Sequence, residues 1–209
     1  LQLAAMQTAP NQVVGSREAD LNDTRLFRQL NPFTLPGDAD GAPTWNNLLA
    51  DLREVLLRAR PEVIVLPHPT LDPHPDHICA QQAVLQALQG LDWQPTLLGY
   101  ANHLHDNDRW PMGNTGQGIA LPPAFDSSVA MQPLCLPLSI EQQRDKAMAL
   151  GMMHDLQPPA PFKRRLRRVI QRLLAGRATS VYGENEFFRK AVRRQELFWL
   201  LKHGEPGDQ

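Results

Sequence analysis

Residues 62–77 constrain this chain more than any other stretch. Val63 to Leu66 is a short apolar run, three of its four residues β-branched, with the length of a buried parallel strand. It runs into a loop that holds Pro67, Pro69, Pro73 and Pro75 and ends on His74, Asp76 and His77. Each proline fixes its own φ and pushes the residue before it toward extended shapes, so the loop is pre-shaped. Before the strand, Leu48, Leu49, Leu52, Val55 and Leu56 recur at helical spacing, which predicts a helix from Trp45 to Arg60 ended by Pro61. After the loop, Ala80, Ala83, Val84, Ala87 and Leu88 predict a second helix that starts near His77 and stops at Gly90. Pro95 to Tyr100 then reads as a strand. Strand, loop, helix and strand make a βαβ unit, which implies a parallel pair. In open α/β sheets ligands bind beyond the carboxyl ends of the strands, where this loop lies.

The remaining sequence is read around that unit. Residues 1–44 show little periodicity, and Pro32, Pro36, Gly37, Gly41 and Pro43 mark a long loop. Residues 101–138 are rich in Asn, Gly, Pro and His and read as a long loop with one strand near Val129 to Leu136. Ser139 and Gln142 form a capping-box pattern that opens a helix running to about Met153. Phe162 to Arg177 is predicted as a basic amphipathic helix, and a last helix covers roughly Glu184 to Leu201. No internal repeat is present. A chain of 209 residues is long enough for one domain with a real core.

Charge is unevenly placed. Net charge is −1, yet residues 162–203 carry 12 Lys/Arg against 3 Glu. On the 162–177 helix, Lys163, Arg164, Arg165, Arg167, Arg168, Arg172 and Arg177 stand with no acidic residue. Such a helix either lies on an anionic membrane surface or packs its apolar face on the domain with its arginines in water. No nucleic-acid motif accompanies it, so nucleic acid is not an expected partner. No run of about 18 apolar residues predicts a membrane span. Leu1 to Ala5 is too short for a signal peptide, and the start at Leu1 suggests a piece of a longer chain. Cys79 and Cys135 follow no metal spacing and read as small buried apolar groups rather than a disulfide, which suits the cytoplasm.

Imidazole and carboxylate are the side chains that hold divalent metals and move protons near neutral pH. The loop supplies His68, Asp72, His74, Asp76 and His77. One imidazole can bind a metal while the other faces a substrate, which points to metal-dependent hydrolysis. The plainer reading is a proline-rich turn whose histidines cap a helix. His103 and His105 alternate in strand fashion and either line a pocket with Trp110 or belong to a solvated loop. His154 reads as a capping or packing group near a helix end.

Pro67-His68-Pro69 followed by Asp72-Pro73-His74-Pro75-Asp76-His77 resembles the second signature of the PIG-L/LmbE-like N-deacetylases. Arg60-Pro61-Glu62-Val63-Ile64 is similar to the family's strand entry, and Lys146, Ala149, Leu150, His154 and Gln157 to its later helix. The resemblance covers roughly residues 45–160. It implies a zinc hydrolase that removes acetyl from N-acetylated amino sugars, including lipid-linked ones and mycothiol or bacillithiol precursors. It also implies a Rossmann-like three-layer α/β/α domain with a mostly parallel sheet over 1–160, followed by a helical basic extension over 161–209. His77 is then the zinc ligand, and His74 stabilises or protonates the tetrahedral intermediate. Asp76 orients His74, Asp72 is a substrate-side group, and His68 reaches the pocket or supports it. The family's first signature, His-Pro-Asp-Asp-Glu, which supplies the other His and Asp ligands and the general base, is absent from these 209 residues. Two expectations follow: a catalytic chain completed by a segment not included here, or an inactive domain that keeps the fold to bind a sugar or a membrane. For the first, the partner is an N-acetylated amino-sugar or glycolipid, with placement at the cytoplasmic side of the inner membrane.

Overall fold

A computed structural model describes residues 2–15, 22–104, 107, 109–114, 116–122, 132–153 and 186–201. The basic helix expected over 162–177, and His105, His154 and Gln157, lie outside the described residues. The chain divides into two compact units, one of residues 1–106, 131–133 and 198–209, the other of residues 107–130 and 134–197.

The first unit is built on the expected βαβ order. Helices α1 (Gln2–Thr8), α2 (Arg25–Arg28) and α3 (Trp45–Ala59) precede strand β1 (Val63–Pro67), helix α4 (Pro75–Leu88) and strand β2 (Thr96–Tyr100). Thr44 caps α3 by accepting from the Asn47 N–H. Arg60 ends it in the left-handed region at φ 40°, because Pro61 disfavours a helical residue before it. Trp45 and the partly buried Leu48, Leu49 and Leu52 of α3 meet Met6, Cys79 and Ala83 in one core cluster. Cys79, Ala83 and Ala87 keep the buried face of α4 small, which lets α1 and α3 approach it closely. Strands β1 and β2 pair in parallel from Val63↔Thr96 to Pro67↔Tyr100.

Four expectations are corrected. The helix foreseen over 184–201 stops early: α6 is Glu186–Ala191, and strand β4 is Gln195–Leu201. Leu197 and Trp199 point inward at 6% and 0% exposure while Leu200 is 42% exposed, a period of two that matches a strand. β4 runs antiparallel to β2 through Leu97↔Leu201, Leu98↔Leu200 and Gly99↔Trp199. With β3 (Gln132–Pro137), the order is β1-β2-β4-β3. The sheet is therefore mixed α/β and mostly antiparallel rather than mostly parallel. Second, β1 is not fully buried: Val63 and Val65 are 49% and 51% exposed and Leu66 only 3%, since β1 ends the sheet and covers one face. Third, residues 2–8, read as loop, form α1, whose Leu3 and Ala4 N–H groups are held by the Asp76 carboxylate. Fourth, Cys79 is buried but Cys135 is exposed, and both are free thiols.

In the second unit, Ser139 and Gln142 close the predicted capping box on α5 (Ile140–Gly151). Lys146 of α5 pairs with Glu196. Arg193, 5% exposed, donates to the Pro111, Gln117 and Gly118 carbonyls. Among the described residues no helix is long and apolar enough to cross a membrane.

Candidate functional site

The site lies wholly within the first unit, where the loop after β1, the start of α4 and the chain after β2 meet. His68 donates its backbone N–H to the Tyr100 carbonyl at 2.7 Å. That bond carries the parallel pairing one step past the strand ends and brings both carboxyl-end loops together.

Asp72 organises them. Its side chain is 0% exposed. Oδ1 accepts from the His74 N–H at 3.2 Å, and Oδ2 from the Asn102 and His103 N–H groups at 3.0 and 3.4 Å. His77 Nδ1 lies 2.9 Å from Oδ2, close but out of line for a hydrogen bond. Burial pushes the Asp72 carboxyl up, but His77 and the Asn102 and His74 N–H groups outweigh it and hold the group below its ordinary range. Asp72 is therefore an anion at neutral pH. Expected on the substrate side, it lies instead behind the loop with no exposed surface.

The two histidines of the signature are held differently. His77 turns Nδ1 to the Asp72 carboxylate, which favours the proton on Nδ1 and leaves the Nε2 lone pair outward. Its side chain is 27% exposed. His74 is the N-cap of α4, and its Nδ1 accepts from the Asp76 N–H at 3.2 Å. A neutral His74 thus carries its proton on Nε2 and offers a donor. The two ring centres are 4.6 Å apart.

Asp76 departs from its expected role. Its backbone N–H reaches His74, but its carboxylate accepts from Leu3 and Ala4 at 3.0 and 3.4 Å. Burial raises its carboxyl, yet the Ala4 N–H and other N–H groups of α1 win and lower it. The carboxylate that positions a site histidine is Asp72, and that histidine is His77.

His68 is buried at 2% exposure and does not face the loop surface. Its Nδ1 accepts from the Thr70 and Leu71 N–H groups, each at 3.2 Å. Its ring meets Trp199 edge-on at 5.7 Å. The backbone passes close beside it, and a Cβ at Gly99 would stand 3.0 Å from His68 Cδ2, a tight contact. Burial lowers the His68 pKa from 6.5 to about 4. Because the folded value is depressed, the unfolded chain takes the proton first as pH falls through 6.5. Stability attributable to neutral His68 is then lost between about pH 6.5 and 4, a total of about 3 kcal/mol. His68→Asn keeps an acceptor near the Nδ1 position and removes the titration. Urea unfolding at pH 7.5, 5.5 and 4.5 is expected to show a flatter pH slope in the variant, and equal slopes would contradict the burial account.

His103 is the residue whose place sequence reading left open. It is exposed, with its ring 5.5 Å from that of His77 and 5.9 Å from that of His74. Trp110, read with it, belongs to the second unit, where it is buried and donates Nε1–H to the Ala120 carbonyl. Among the described residues no three His, Cys, Asp or Glu side chains form a ready cage for a metal ion. No family model, no curated protein and no solved structure matches the chain.

Proposed function

We propose that the chain is a zinc-dependent hydrolase of the PIG-L/LmbE-like type that removes the acetyl group from an N-acetylated amino-sugar derivative. The observation that supports this reading is the unequal holding of the two histidines: Asp72 behind His77 Nδ1, and the Asp76 N–H on His74 Nδ1. A carboxylate behind an imidazole is the arrangement that raises ligand basicity and fixes the tautomer that binds zinc. His77 Nε2 fits one ligand position. Zinc, when bound, lowers the pKa of its water and polarises the amide carbonyl.

The chain's own groups do the rest. His74 Nε2–H donates to the carbonyl oxygen as negative charge develops there. Asp72 holds both loops and keeps His77 in register. Buried as it is, Asp72 does not activate water. The parallel β1-α4-β2 unit is, in this reading, the kernel of a Rossmann-like three-layer domain whose sheet also takes in β4. The substrate is an N-acetylated amino sugar or glycolipid, and the 162–177 segment approaches an anionic surface on the cytoplasmic side of the inner membrane.

The test is acetate release by zinc-loaded protein from a panel of N-acetylglucosamine glycosides, some lipid-linked. Chelator-sensitive release of acetate with an equal amount of free amine is expected. Zinc-loaded protein that releases none from any member contradicts the proposal.

A further inference from the structure

We infer that His103 is a second imidazole ligand of the cation held by His77, filling the place of the histidine that the absent first signature would supply. This rests on the zinc reading of His77 and goes beyond it, because neither motif nor spacing assigned a metal role to His103.

Three observations carry it. The first is distance. Two imidazoles bound to one tetrahedral zinc through nitrogens at about 2.1 Å place their ring centres about 5 Å apart. The His77 and His103 centres stand 5.5 Å apart. The second is a shared anchor. Asp72 Oδ2 contacts His77 Nδ1 at 2.9 Å and accepts from the Asn102 and His103 N–H groups. One buried carboxylate thus fixes the loop that carries His77 against the one that carries His103, and the spacing is built in before any ligand arrives. The third is position. His103 follows β2 just as the signature loop follows β1, at the carboxyl ends of the two parallel strands.

His74 is nearer to His77, at 4.6 Å, but its Nδ1 is committed to the Asp76 N–H and its other nitrogen carries the proton. It remains a donor, and the paired ligands are His77 and His103. Two histidines do not complete a site, in keeping with the lack of a three-group cage among the described residues.

The experiment is a zinc titration of the full chain against a chromophoric chelator, with Co²⁺ absorption as a second readout. The variants are His77→Ala, His74→Ala, His103→Ala and His103→Asn. His103 is exposed, so both of its variants are expected to keep the wild-type melting temperature. Wild type and His74→Ala are expected to bind with equal affinity, and both His103 variants at least tenfold more weakly, with weaker d–d bands for Co²⁺. If the His103 variants bind within twofold of wild type while His77→Ala loses the ion, this inference is overturned and the zinc reading of His77 stands. If the wild-type chain binds no zinc, both are overturned.

Discussion

Asp72→Ala is expected to cost about 3–5 kcal/mol of stability and to weaken zinc binding at His77 by roughly ten- to a hundredfold. Asp72 has 0% exposure and accepts from three backbone N–H groups while facing His77. Truncation takes the acceptor from those three donors, and each donor left buried and unpaired costs about 1–3 kcal/mol. A domain of this size holds only about 5–15 kcal/mol in total, so the loss is a large share of it. The same change frees the His77 ring to turn, which removes the bias that keeps its Nε2 lone pair outward. Asp72→Asn separates the two effects: it keeps the volume and one acceptor, so stability falls less, but the charge behind His77 is gone. Urea unfolding of the three proteins gives the stabilities, and chelator competition gives the affinities. An Asp72→Ala protein within about 1 kcal/mol of wild type would show that the carboxylate does not hold the two loops.

The reach of the sequence follows from how local each cause is. Helix α3 was legible because Pro61 stops it within the same stretch that carries its apolar stripe. Helix α5 was legible through Ser139 and Gln142, and β1, α4 and β2 through apolar runs bounded by proline and glycine. Helix α1 was not, because what secures its first turn is Asp76, 73 residues from Leu3 along the chain. Strand β4 was not, because Leu197 to Leu201 has no helix-breaking residue, and only pairing with β2 makes it a strand. The site divides in the same way. That His74 and His77 are unequal could be read from the motif, but which carboxylate stands behind which ring could not. Asp76 is adjacent to His77 in sequence and turns to α1, while Asp72 reaches across 30 residues to Asn102.

The largest functional effect is expected from splitting the histidine pair. His74→Ala keeps the α4 start through Pro75, leaves the Asp72 contact to His77 in place, and removes the Nε2–H donor. Its turnover is expected to fall by about 10²–10³-fold, the range for loss of one donor to a developing oxyanion. His77→Ala removes the Nε2 lone pair backed by Asp72, and activity is lost through the metal rather than through the proton. The direct measurement is zinc content per chain after equilibration at matched free zinc and gel filtration, for wild type, His74→Ala and His77→Ala. The account predicts zinc retained in wild type and His74→Ala and lost in His77→Ala. Zinc retained by His77→Ala, or lost from His74→Ala alone, would contradict it.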